Sequence, residues 1–221
     1  MKVLSIISQK GGVGKTTLAT ALAVAAEKDG KQVAILDLDD QASACFWSDI
    51  REAPTPAVKD VKAVRLGVYL QSIREAGCDL VIIDCPPVHK DIALDAAAPA
   101  DFVLIPSKPD LFDIRSMTMT VKLLSKIAKP SAVVLTFCPP AGPEVPGARA
   151  TVQDIGAALC PIEIGLRKSY ARAQQTGQTA QEFEPDGKAA EEITSLYKYT
   201  CIQLNKDESC YGQVQSVASC A

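Results

Sequence analysis

The decapeptide SQKGGVGKTT, Ser8 to Thr17, follows directly on a short apolar run, VLSII (Val3 to Ile7). A run of that length against a glycine cluster reads as a strand buried on both faces. Beyond the glycines, Leu18, Ala21, Leu22 and Ala25 recur at helical spacing, and Gly30 supplies a left-handed stop. Strand, glycine loop and helix in that order make a phosphate cradle. Gly11, Gly12 and Gly14 let backbone N–H groups close on an anion at the start of the helix. Lys15 is placed for β- and γ-phosphates and the Thr16 hydroxyl for Mg²⁺, with Val13 and Thr17 completing the loop. The generic pattern G-x-x-x-x-G-K-[ST] wants glycine at position 9, where this chain has Gln9. A second lysine, Lys10, stands at the entrance.

Working outward, the same alternation continues. Further strands are expected over QVAILDLD (32–39), DLVIIDCPP (79–87), DFVLIP (101–106) and AVVLTF (132–137), with a short one over PIEIGL (161–166). Helices are expected over VRLGVYLQSIREAG (64–77), 112–128, 150–159, 168–177 and 187–199. Residues 53–62, with Pro54 and Pro56, read as a surface connection. Alternating strand and helix predicts a doubly wound, mostly parallel α/β sheet with helices on both faces, of the P-loop NTPase, Rossmann-like kind. One domain over 1–200 is expected. Residues 201–221, without periodicity, read as a weakly ordered tail.

Two acidic segments fall at strand ends. Asp84 closes LVIID, where it either holds Mg²⁺ or caps the strand. In DLDDQ, alternation points Asp37 and Asp39 to one side. A carboxylate there can orient or deprotonate an attacking water, or it belongs to a solvated acidic loop.

Composition narrows the classes. The chain has 221 residues, 48% hydrophobic and 22% charged, so neither disorder nor a coiled coil describes it as a whole. A net charge of -3 gives no global basic field for nucleic acid or membrane, so any such contact needs a local patch. No apolar run is long enough to span a bilayer, and MKVLSII is too short for a signal peptide, which points to a cytoplasmic protein. The eight cysteines are scattered without a CxxC pair, and His89 is the sole histidine. Zinc sites are disfavoured, and the cysteines read as small buried hydrophobes.

KGGVGKTT, DLDDQAS and VIIDCPP, in this order and spacing, resemble the ParA/MinD family of deviant Walker A ATPases, and among them the short plasmid-type partition proteins. The segment YARAQQTGQTAQEFEPDGKAAEEI adds to that resemblance. The resemblance implies ATP and Mg²⁺ as cofactors and an ATP-dependent homodimer. In that dimer Lys10 reaches the nucleotide of the partner subunit, as an arginine finger does. It implies that Asp39 activates water, that Asp37 supports the metal shell, and that Asp84 binds Mg²⁺ through water. Asp40 stands where the family usually has proline. The adenine would meet the segment after the fifth strand, including Phe137 and Pro139.

It also implies non-specific DNA binding with nucleoid association, and a ParB-like centromere-binding or adaptor protein that stimulates hydrolysis. Candidate DNA cations are Arg149, Arg167, Lys168, Arg172 and Lys188, which otherwise form ordinary solvated faces. Two other outcomes are a MinD-like regulator at the membrane and a metabolic P-loop kinase or synthetase. The segment 201–221 has no apolar stripe for a membrane helix, and the chain shows no substrate-domain insertion. Cys85 and Cys138, the cysteines best placed for a shared iron–sulfur cluster, read as packing residues.

Overall fold

A computed structural model describes residues 1–87 and 90–206. Six parallel strands form one sheet: β1 (Lys2–Ile6), β2 (Val33–Asp37), β3 (Ala57–Asp60), β4 (Leu80–Asp84), β5 (Phe102–Ser107) and β6 (Ser131–Leu135). Their order is β3-β2-β4-β1-β5-β6. The chain steps outward on one side of β1, then crosses to the other after β4. Strand ends at such a reversal leave a crevice at the carboxyl edge, where α/β sheets bind ligands.

The helices are α1 (Lys15–Lys28), α2 (Ser43–Asp49), α3 (Leu66–Glu75), α4 (Lys90–Ala97), α5 (Leu111–Ser125), α6 (Glu144–Asp154), α7 (Lys168–Gln174), α8 (Ala180–Phe183) and α9 (Lys188–Leu204). Alternate residues of each central strand enter opposite cores. Leu4, Ile6, Ile35, Ile82 and Leu104 pack with Leu18 and Leu22 of α1 and Ile193 and Leu196 of α9. Val3, Leu36, Val81, Ile83 and Ile105 pack with Leu70, Met117 and Val152 on the other face. Each such aliphatic side chain contributes about 1.5–3 kcal/mol by leaving water. That burial explains the near-continuous apolar runs.

Several local expectations give way. Residues 57–60 are an edge strand, not a loose connection; β3 pairs with β2 from Ala34–Ala57 to Asp37–Asp60 while exposing most of its side chains. PIEIGL forms no strand and contributes an isolated bridge, Cys138–Gly165. The helix expected from 150 starts at Glu144, because Pro146 falls in the first turn, where a missing N–H breaks no helical bond. Helices α2, α4 and α8 were not foreseen. The buried face of α4 is only Ala93, Ala96 and Ala97, too weak an apolar signal to read. Helix α9 runs on to Leu204, so the expected tail 201–221 begins inside a helix. The rest of that segment, with Cys210 and Cys220, lies outside the described residues, as does His89. Among the described residues, no helix is long and apolar enough to cross a membrane.

Candidate nucleotide and metal site

Register brings the chemistry together. Ile6 of β1 and Asp37 of β2 both pair with Asp84 of β4, so three strand ends meet in one line. The glycine loop leaves β1 there and enters α1 at Lys15. Gly14 caps the helix at φ 90°, a dihedral that calls for glycine, and the Phe137 ring lies against it, 3.4 Å from where a β-carbon would stand. Two elements brace the loop from outside. The Thr136 hydroxyl donates to the Val13 carbonyl at 2.9 Å, and the Gln174 amide donates to Thr17 Oγ1 at 2.9 Å.

Lys15 is buried and folds back, its Nζ donating to the Lys10 carbonyl at 3.0 Å. Burial lowers its pKa, against the opposing pull of Asp84, Cys85 and Asp39. Lys10 itself is exposed. One loop therefore holds an inward cation and an outward one.

Asp84 is the most unusual acid of the site. Its Oδ2 accepts from Thr16 Oγ1 at 2.6 Å, while its buried Oδ1 has no partner among the described residues. Burial pushes its pKa up to about 7; the Thr16 hydroxyl pulls it down and the neighbouring Asp37 raises it further. An orphaned carboxylate oxygen beside a threonine hydroxyl and a phosphate loop fits a divalent cation or its bound water. Among the described residues there is no cluster of three His, Cys, Asp or Glu that could hold a metal. The fit is therefore to Mg²⁺, which keeps several waters and takes other ligands from phosphates rather than from a protein cage.

Asp37 turns both carboxylate oxygens to backbone donors. Its Oδ1 accepts from the Asp39 N–H at 3.0 Å, and its Oδ2 from the Ala44 N–H at 2.9 Å and the Cys45 N–H at 3.4 Å. Both oxygens thus anchor the loop and the first turn of α2. Burial raises its pKa despite these donors. Asp39 is half-buried, accepts the Gln41 N–H at 3.0 Å, and faces the phosphate side. Asp40 pairs with Lys62, tying the same loop to the segment after β3.

Two cavities flank the loop. The larger, about 820 Å³, is lined by Gly11, Lys15, Thr16, Asp39 and Phe46. The other, about 490 Å³, is apolar, between Leu18, Phe137, Ile164, Leu166 and Tyr170. Phe137 lines both cavities and Pro139 neither. To the apolar cavity, Ile164 and Leu166 come from a segment that reads as a strand in the sequence, and Tyr170 from the expected helix 168–177.

The five candidate DNA cations divide. Arg149 is paired with Glu163 at 2.6 Å and Arg167 with Glu192 at 2.5 Å, so neither offers an uncompensated charge. Glu192 also accepts from the Tyr170 hydroxyl at 2.8 Å. Lys168, Arg172 and Lys188 are exposed. Lys168 and Arg172 lie one turn apart on α7, hence on one face. Cys85 and Cys138 are buried, and burial drives both thiols up, Cys138 to about 12.

One brace has no sequence signature at all. Arg51, after α2, pairs with Glu182 of α8, donates to the Gly177 carbonyl at 2.9 Å, and lies 4.8 Å from the centre of the Trp47 ring. A β-carbon on Gly177 would meet the Arg51 backbone at 2.5 Å. The acidic loop and α2 are thereby locked against the turn that follows α7.

Residues 4–180 match the model of the CobQ/CobB/MinD/ParA nucleotide binding domain. The maintenance of carboxysome distribution protein A of Gloeobacter kilaueensis is 31% identical over 212 residues, covering 93% of this chain and 95% of that protein. Two solved structures share the fold. An aspartate-to-alanine variant of McdA from Cyanothece, in complex with ATP, has a TM-score of 0.75 at 19% identity, covering 94% of this chain and 98% of that one. MinD of Pyrococcus horikoshii, with Mg-ADP, has a TM-score of 0.74 at 18% identity, covering 90% and 95%.

Proposed function

The chain belongs to the CobQ/CobB/MinD/ParA nucleotide-binding family, and from that membership we propose that it is a Mg²⁺-dependent ATPase whose ATP form dimerises and positions a large cargo over non-specific DNA. The observation that carries this reading is the pair of lysines in one loop, Lys15 buried and Lys10 exposed. The inward ammonium holds the phosphates of its own subunit. The outward one is available to a nucleotide facing it from a second subunit, where it offsets the repulsion between two polyanions.

In this reading Gly11 to Thr17 bind the phosphates through backbone N–H groups and the start of α1. Thr16 and Asp84 hold Mg²⁺, which supplies charge neutralisation at the phosphates. Asp39 orients the attacking water. Asp37 serves the site indirectly, by fixing the loop that carries Asp39. The adenine occupies the apolar cavity against Phe137. Hydrolysis removes the charge that held the dimer, so turnover sets its lifetime. A ParB-like or adaptor partner accelerates that step. The cargo is either DNA itself or a protein assembly, for which the carboxysome-distribution relative is the precedent.

DNA contact is assigned to Lys168 and Arg172, with Lys188, doubled in the dimer. Phosphate contacts of this kind weaken steeply with salt. Charge reversal at both α7 positions, Lys168→Glu with Arg172→Glu, is expected to lower affinity for a random duplex by more than about tenfold in a gel-shift assay. Because Lys168 borders the adenine cavity, ATP affinity is measured in parallel and is expected to hold within about twofold. Undiminished DNA binding removes α7 as the DNA-contacting face.

A further inference from the structure

A third lysine stands at the phosphate loop, outside its motif. Lys108 follows β5, and its Nζ lies 4.0 Å from the point where a β-carbon on Gly12 would stand. It lies 4.8 Å from the centre of the Phe137 ring, within cation–π range. That ring also packs at Gly14. So one aromatic side chain seats Lys108 against the loop whose dihedrals make the cradle. Lys108 is half-buried. Among the described residues it has no ion pair, whereas Arg51, Arg149 and Arg167 are each matched to a carboxylate. Asp110 and Asp113, at the start of α5, feel both Lys108 and Lys10 through space. Asp110 already caps that helix by accepting the Asp113 N–H at 3.2 Å. The two lysines therefore share one face of the loop, and no acid there is committed to either.

We infer that Lys108 is a further nucleotide-binding residue, whose ammonium reaches the terminal phosphate of ATP over the crest of the loop and favours ATP over ADP. This rests on the reading of the loop as an ATP site. The physical ground is position. Lys15 is buried at the base of the loop, where it reaches the β- and γ-phosphates from within, while Gly11 and Gly12 form its exposed crest. A cation at the crest acts most strongly on the charge that ATP carries and ADP lacks. The seat on Phe137 and the loose hold of the acid pair leave Lys108 close at little ordering cost, yet unpaired before nucleotide arrives.

The test is a fluorescence titration of the full chain with Mg-ATPγS and with Mg-ADP, for wild type, Lys108→Met and Lys108→Arg. Methionine keeps the apolar stem on Phe137 and removes only the charge. It is expected to weaken ATPγS about tenfold and ADP by less than about twofold, as befits one partly screened charge pair. The ATPγS loss shrinks between about 50 mM and about 300 mM KCl, across which the Debye length shortens. Arginine restores most of the difference. ATPγS affinity within about twofold of wild type, or equal losses for both nucleotides, overturns the assignment. If wild type binds neither nucleotide, the ATP-site reading fails first and takes this one with it. A wild type that binds both beside an indifferent Lys108→Met sinks Lys108 alone.

Discussion

Lys15→Ala is expected to lower nucleotide affinity by on the order of a hundredfold or more, because a hydrogen bond to a charged partner is worth about 1.5–3 kcal/mol and this ammonium serves two phosphates. The fold should survive. In the absence of nucleotide the ammonium has one hydrogen bond among the described residues, to the Lys10 carbonyl. Burial already disfavours its charged form, so the truncation removes a desolvation cost along with a contact. The measurement is a direct titration with Mg-ATPγS beside a thermal melt. A variant that melts like wild type and does not bind is the predicted outcome. A variant that binds within about tenfold of wild type would show that the nucleotide sits elsewhere.

Asp84→Asn should act in opposite directions on stability and on catalysis. The Asp84 pKa stands at about 7 in the folded chain, raised first by burial, against an ordinary value of 3.8. Between those values the folded state holds a proton that the unfolded state has released. Stability from this group is therefore full below the ordinary value of 3.8 and is lost progressively as pH climbs from there to about 7. At about pH 8 the ionised, half-satisfied carboxylate costs on the order of a few kcal/mol. Asparagine cannot ionise and can still accept from Thr16. The nucleotide-free variant is expected to melt several degrees above wild type at about pH 8, at about 2–4 °C per kcal/mol for a chain of this size. The gap should narrow through about pH 5 and close near about pH 4. Mg²⁺-dependent hydrolysis should fall by more than about a hundredfold, because the amide brings no charge to the cation. A variant less stable than wild type at alkaline pH contradicts the electrostatic account of Asp84. One that keeps Mg²⁺-dependent turnover contradicts its role at the metal.

Much of this architecture is legible in the residues, for reasons that also mark where reading stops. The central strands announce themselves because both faces are buried, which forces runs such as VLSII and LVIID. The phosphate loop is legible because dihedrals and anion geometry restrict it to glycines followed by Lys-Thr. Strand β3 escapes notice because an edge strand needs backbone pairing but little apolar surface, and it follows two prolines. Helix α2 is too short for periodicity and owes its start to a carboxylate seven positions upstream, the Asp37–Ala44 bond. That bond also shows what strand alternation leaves open about Asp37. Alternation fixes the side to which a carboxylate points and not the donors it finds there. The pairing of Arg149 and Arg167 with Glu163 and Glu192 is likewise a matter of tertiary distance that charge counting cannot foresee. Lys108 belongs to no motif, and only folding β5 beside β1 places it at the loop.

The central claim is that ATP joins two copies of this chain through Lys10. Light scattering coupled to size exclusion, run with Mg-ATPγS, with Mg-ADP and without ligand, tests it most directly. The account predicts one subunit mass without ligand and with ADP, twice that mass with ATPγS, and no doubling for Lys10→Ala even though that variant still binds ATPγS. A wild-type chain that keeps a single mass under saturating Mg-ATPγS, or a Lys10→Ala chain that doubles as wild type does, contradicts it.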